Sequence, residues 1–293
     1  MTAAGSLARP LGLSSFALAS PMTDADLPRL AWVRSLGYDL VELSYSDPRR
    51  LTPKAVRRAA AESGLAVAVA GDFNAERDLA AATPEGRRQG LKYLTACIDF
   101  AAQVGATVVA GPMYSAVGKA RYVNPAARER EWHWAVEGLQ RAADHAADQG
   151  VRLALEPLNR FETDMVNTTA QGLQMVADAG RDNLGLSLDT FHMNIEDDNL
   201  GAAIRQAGPK IFSFQASENT RGTPGAGHVP WAEVFTALDD IAYGGPVIVE
   251  AFRDDIVALG EALCLWRPVA PSMADLAVDA SRFLSPFTGH QTN

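Results

Sequence analysis

Eight short apolar runs with strand character recur along the chain, alternating with longer stretches of helical period, and no other feature narrows the possible folds so far. The runs are Phe16–Ala19, Leu40–Leu43, Ala66–Ala70, Thr107–Ala110, Arg152–Glu156, Gly185–Asp189, Ile211–Gln215 and Val247–Glu250. Between them the helical period covers Asp24–Leu36, Pro53–Ser63, Glu85–Val104, Ala126–Gln149, Thr169–Ala179, Leu200–Ala207 and Trp231–Ile241. Several of these helices run into a glycine where a left-handed C-cap would fall: Gly37, Gly64, Gly105, Gly150 and Gly180. Strands that read as continuous apolar runs and alternate with helices imply a parallel sheet covered by helices. Eight such units fit a closed α/β barrel, a single (β/α)₈ TIM barrel, better than an open doubly wound sheet. The open fold often carries a glycine-rich phosphate turn after an early strand, and none is found here. Gly225-Ala-Gly227 lies in a loop with prolines and lacks the third glycine.

The length of 293 residues suits one barrel, since such domains run to roughly 250 residues, and no linker-like block interrupts the chain. Residues 1–293 therefore read as one domain, with a helical C-terminal extension from about residue 265 whose periodicity starts near Ser272. The net charge of −9 and the lack of a basic stripe exclude nucleic acid and an anionic membrane as expected partners. Two cysteines, Cys97 and Cys264, do not make a disulfide framework and suit a reducing compartment. The first twenty residues make a poor signal peptide, and no apolar span of about 20 residues occurs, so a cytoplasmic location is expected.

Barrel enzymes carry their chemistry at the C-terminal ends of the strands. There, RLALEP ends on Glu156, GLSLDTFH on Asp189 with His192 close behind, IFSFQAS delivers Gln215, and PVIVEAF ends on Glu250. One carboxylate after an apolar strand reads as a cap or a surface group. Three carboxylates and an amide on four consecutive strands do not, because carboxylates packed that closely repel one another and raise one another's pKa. A divalent cation resolves the conflict, and an all-oxygen set favours a hard ion, Mn²⁺ foremost, with Mg²⁺ or Co²⁺ as alternatives. Glu42, at the end of the second run, also points toward the rim and is a candidate substrate contact. Trp231 and His228 read as packing and loop residues.

The stretches LALEPLNRFETDMVNT, LDTFHMNIED, QASENTRGTPGAGHVPW and VIVEAF, together with GPMYSAVGK, resemble the ketose 3-epimerases (the D-tagatose and D-allulose 3-epimerases) of the xylose-isomerase-like barrel superfamily. The likeness covers nearly the whole chain and is strongest from Leu153 to Phe252. It implies an isomerase that epimerises a ketose at C3 through a cis-enediolate, with one divalent metal, a small sugar as substrate and a homo-oligomeric assembly, dimer or tetramer. Of the family's four metal ligands, Glu, Asp, His and Glu, three carry over to Glu156, Asp189 and Glu250. The family histidine is replaced in Ser213-Phe-Gln215 by Gln215, which can still coordinate through its amide oxygen, as related hydroxypyruvate isomerases do. The resemblance further implies Glu156 and Glu250 as the acid/base pair, and Glu162, His192 and Arg221 as the residues that bind the ketose oxygens.

The same metal–enolate chemistry admits other outcomes: aldose–ketose or hydroxypyruvate isomerisation, toward which Gln215 leans, and β-elimination or hydration on a 3-keto sugar. Phosphodiester cleavage of the endonuclease IV type fits poorly with five histidines in all and an acidic charge.

Overall fold

Eight parallel strands pair in chain order and close on themselves: β1 (Leu11–Ser14), β2 (Leu40–Ser44), β3 (Ala66–Ala70), β4 (Val108–Gly111), β5 (Arg152–Leu155), β6 (Leu184–Asp189), β7 (Ile211–Ala216) and β8 (Val247–Val249). The last joins the first in the register Leu11↔Val247 and Leu13↔Val249. The computed structural model describes residues 8–290, without 48, 254 and the side chains of 258 and 262. The helices are α1 (Leu30–Ser35), α2 (Pro53–Ser63), α3 (Pro84–Val104), α4 (Pro125–Asp148), α5 (Thr169–Ala179), α6 (Thr190–Glu196), α7 (Leu200–Ala207), α8 (Trp231–Asp240), α9 (Val257–Ala262) and α10 (Met273–Thr288). The five glycines expected to stop helices all adopt positive φ. Among the described residues, no helix is long and apolar enough to cross a membrane.

The first strand departs from expectation. The apolar run Phe16–Ala19 predicts β1 there, but the strand is Leu11–Ser14, and Ser15–Ala17 form a 3₁₀ turn beyond it. Hydropathy misled because the true strand carries Gly12, where a methyl group would stand 2.7 Å from Leu40 of β2. The Ser15 hydroxyl then accepts the Ser44 amide at 2.8 Å, tying the turn to β2 and leaving Phe16 to line the cavity above. Two short helices, α6 and α9, of 7 and 6 residues, are not predicted by the sequence period.

Two small apolar clusters, Leu40–Ala68–Ile248 and Val108–Ala110–Ala154–Phe212, are separate from the large core that packs strands against helices. They fill the lower barrel interior, and the two-residue side-chain period then decides what stands above them. Two residues beyond Leu40, Ala154 and Ile248 come Glu42, Glu156 and Glu250, and Asp189 follows Ser187 in the same way. The inward face thus switches from apolar to acidic toward the C-terminal rim.

Near the base, β6 and β7 approach so closely that a methyl group on Gly185 would collide with the Lys210 carbonyl oxygen and stand 2.7 Å from the Phe212 ring. Gly185→Ala is therefore expected to destabilise the protein by about 1–3 kcal/mol through overpacking. A thermal melt matching wild type would show that the two strands can separate without loss.

Helix α10 packs against β1 and β8, where the barrel closes. Tyr38 donates to the Ala277 carbonyl at 2.7 Å, Ser281 donates to the Leu36 carbonyl at 2.7 Å, and the buried Arg9 donates to the Phe287 carbonyl at 3.1 Å. The Phe287 ring stacks on Phe235 of α8 at 4.4 Å between centroids.

Candidate active site

The rim of β5 to β8 gathers Glu156, Asp189, Gln215 and Glu250, all buried. Asp189 ends β6 and caps α6, its Oδ1 accepting the Phe191 amide at 2.8 Å. That cap starts the helix on which His192 sits, which explains how a residue three positions on turns back into the site. Glu156, Asp189 and His192 each offer a ligand atom within 4.8 Å of the others, a group able to hold a metal ion.

Arg221 lies in the middle of the acidic set. Its Nη1 donates to Asp189 Oδ2 and to Glu250 Oε2, each at 2.8 Å. The guanidinium is held between two rings, 3.9 Å from the centroid of Phe191 and 4.9 Å from that of Phe252. His192 Nδ1 accepts the Asn159 amide at 3.0 Å, while its Nε2 stands 3.6 Å from Glu156 and 3.2 Å from Arg221 Nη2. The Asn159 side chain donates to Glu162 Oε1 at 2.8 Å, so Glu162 and His192 are held by one residue. The Glu162 backbone is pinned as well: its carbonyl accepts the Gly118 amide at 2.7 Å.

Gln215 faces the carboxylates with its amide nitrogen, donating to Glu42 Oε2 at 3.1 Å and Glu250 Oε1 at 3.3 Å. Ligation through oxygen requires a half-turn of this amide, whose two ends are nearly equal in size. The bond to Glu42 crosses the barrel from β7 to β2. It places Glu42 beneath the site rather than at the rim: the residue does not line the cavity, and its Oε1 has no partner.

Four buried carboxylates thus gather around one guanidinium that pairs with only two of them, Asp189 and Glu250. Burial, then repulsion from Glu250 and Asp189, pushes Glu156 well above the ordinary carboxylate range. Burial also pushes Glu250 well up, although Arg221 opposes it, and Glu42 rises to about 7. Asp189 is equally buried but stays below its usual value because Arg221, His192 and the Phe191 amide favour its anion. Burial and the neighbouring Arg221 lower the pKa of His192. More buried carboxylates than buried cations, with Glu156, Asp189 and Glu250 offering oxygen donors at one rim, make an environment that fits a hard divalent ion.

The cavity above measures about 340 Å³. Glu156, Glu162, His192, Gln215, Arg221 and Glu250 all line it; Asp189 does not. The remaining wall is largely apolar, with Phe16, Phe73, Leu158 and Phe252 joined by Ile256, Leu259 and Leu263 from the α9 segment. Sequence reasoning did not single out Asn159 or the α9 residues. The NRFE motif contains Asn159, but its link to His192 spans 33 positions and leaves no local pattern. Trp231 is buried and packs with Phe235 and Phe283, away from the cavity, and His228 is exposed.

Comparison with known proteins gives this geometry a family. Residues 30–284 match the family model described as xylose isomerase-like TIM barrel. The chain is 34% identical over 256 residues to the D-psicose 3-epimerase of Agrobacterium fabrum, covering 85% of this chain and 87% of the relative. It is 33% identical over 277 residues to the L-ribulose 3-epimerase of Mesorhizobium japonicum, covering 94% and 92%. The chain belongs to the ketose 3-epimerase family. Among solved structures, an L-ribulose 3-epimerase superposes with a TM-score of 0.91 at 33% identity, covering 96% of this chain and 95% of that one. The D-allulose 3-epimerase of a Methylomonas species, solved in complex with D-allulose, superposes with a TM-score of 0.89 at 30% identity over 96% and 98%. The members of this ketose 3-epimerase family that it resembles are thus sugar epimerases, and the acidic rim is where this chain offers a metal group.

Proposed function

We propose that this chain epimerises a free ketose at C3, with Glu156 and Glu250 as the acid/base pair and Glu156, Asp189, Gln215 and Glu250 as ligands of a divalent ion, Mn²⁺ foremost. The observation that carries this reading is geometric: Glu156 and Glu250 enter one cavity from β5 and β8, with β6 and β7 between them. Epimerisation needs a base to take the C3 proton on one face and an acid to return one on the other. Two carboxylates that reach one cavity from well-separated strands can fill these roles, and exchanging them runs the reaction backwards.

The bound cation would supply Lewis-acid polarisation of the ketone and stabilisation of the enediolate. The chain's own residues supply the rest. With His192 Nδ1 occupied by the Asn159 amide, the neutral ring carries its proton on Nε2. Nε2–H and Arg221 Nη2 are then two donors 3.2 Å apart with no acceptor between them, a place for an oxygen on which negative charge develops. Glu162, held by Asn159, accepts from a sugar hydroxyl. A free ketose fits better than a phosphate ester because Arg221 is the one Lys or Arg among the described lining residues, and its Nη1 is already committed to Asp189 and Glu250.

The test is proton exchange. Mn²⁺-loaded protein in D₂O is offered D-fructose, D-tagatose, D-allulose, L-ribulose and hydroxypyruvate, and products are followed by NMR. Deuterium at C3 together with the C3 epimer is expected on at least one ketose, lost with EDTA and restored by Mn²⁺. Metal-loaded protein that leaves every C3–H unexchanged would refute the reading, and tartronate semialdehyde from hydroxypyruvate would replace it with an isomerase.

A further inference from the structure

Glu218 is wholly buried yet does not line the cavity, and the roles proposed above leave it unused. Its carboxylate accepts four hydrogen bonds from the loop that leaves β7 and returns at α8. Oε1 takes the amides of Asn219 at 3.1 Å and Val229 at 3.0 Å. Oε2 takes the amide of Gly225 at 2.7 Å and the indole N–H of Trp231 at 3.0 Å. The donors come from the start, middle and end of the loop, so one side chain fixes its whole course. The loop packs tightly on this carboxylate: a methyl group on Gly227 would press on Asn219 Oδ1 and stand 2.6 Å from Glu218 Oε1.

This loop delivers Arg221. The Arg221 amide donates to the Glu218 carbonyl at 2.9 Å, and Arg221 itself has φ of 59°, in the left-handed region. A non-glycine residue keeps such a conformation only where its surroundings enforce it. The support continues outward, since the Trp231 ring packs edge-on against Phe283 of α10, 6.0 Å between centroids. Although burial opposes it, the four donors hold the Glu218 pKa below its usual value, so the carboxylate stays an acceptor on all four sites.

We propose that Glu218 is a positioning residue: its carboxylate locks the 219–231 loop in the conformation that aims the Arg221 guanidinium at Asp189 and Glu250. The inference rests on the role proposed for Arg221. Glutamine at 218 would keep the shape but present an NH₂ to two of the four donors, and the loop would lose the course that pays for the strain at Arg221.

The experiment uses the full-length, Mn²⁺-loaded protein as Glu218→Gln, Arg221→Ala, the double variant, and His228→Ala as a control at an exposed position of the same loop. C3–H exchange is measured on the ketose turned over fastest. Glu218→Gln is expected to lower kcat by about 10- to 100-fold with a smaller change in KM, the signature of a lost transition-state contact. In the Arg221→Ala background the same substitution should cost no more than about 3-fold, because residues acting through one another are not additive. His228→Ala should stay within about 2-fold of wild type, as surface substitutions do. Labelling of Arg221 by phenylglyoxal, read by peptide mass spectrometry, needs no turnover: it should be slow in wild type and His228→Ala and fast in Glu218→Gln. Trp231→Phe removes one donor and should shift labelling and kcat in the same direction by less, so it carries the test if Glu218→Gln does not fold. Multiplicative losses in the double variant, or an Arg221 as protected in the loosened variants as in wild type, would overturn the proposal. If wild type exchanges no ketose, the catalytic reading fails while the labelling still decides whether Glu218 sets the place of Arg221.

Discussion

Glu156→Gln and Glu250→Gln are each expected to lower the rate of C3 epimerisation by about 10³-fold or more, at the upper end of what general acid–base catalysis contributes, since each also removes a ligand charge. The amide keeps the size of the carboxylate and can still accept from Arg221 at position 250, so the loss is one of proton transfer and not of packing. The two variants should also differ in a way that reports direction. With one carboxylate left, the epimer whose C3–H faces it should still exchange that proton with solvent without inverting, and the other epimer should not. Each variant would then wash deuterium into the opposite epimer. Both variants within about 10-fold of wild type would remove Glu156 and Glu250 from the chemistry.

The second large effect concerns the metal and pH. In the metal-free protein, burial raises the pKa of Glu156, Glu250 and Glu42, the last to about 7. Between the ordinary carboxylate range and these raised values the folded state holds more protons than the unfolded chain. Stability therefore falls as pH rises through that window, and the penalty is complete above the folded pKa. A divalent ion binds the ionised carboxylates and offsets this penalty, so its stabilisation should grow with pH. At about 100 times its dissociation constant, Mn²⁺ is expected to add about 2.7 kcal/mol, or roughly 5–10 °C in Tm, near pH 8. Near pH 5 the increment should be less than about half of that, because protons compete for the same oxygens. Thermal melts with Mn²⁺ and with EDTA across this range give the answer. An increment equal at both pH values would mean that the ion does not bind these carboxylates.

Much of the architecture was legible because a parallel barrel writes itself locally. Each buried strand is a short apolar run and several helices run into a glycine, so most of the units could be read without knowing their partners. The acidic rim was legible for a related reason. Glu156, Asp189 and Glu250 are polar residues at the ends of apolar runs, and the two-residue strand period carries them to the same face as Ala154, Ser187 and Ile248. The departures arose where local pattern and long-range packing disagree. Phe16–Ala19 is more hydrophobic than Leu11–Ser14, but Gly12 alone fits between Leu40 and Ile248, so closure of the barrel selected the less apolar segment.

By itself, then, the sequence determined the repeating unit and which carboxylates end its strands, because both follow from periodicities of a few residues. Tertiary structure decided where those groups stand in depth and what they face. Glu42 looked like a rim residue, and only the bond to Gln215 across the barrel sets it below the site. His192 gained its tautomer from the Asn159 amide, Arg221 its place from Phe191, Phe252 and a loop held by Glu218. Each of these contacts either joins separate βα units or depends on a loop course that no short periodicity encodes, and such pairings come into being only when the barrel closes.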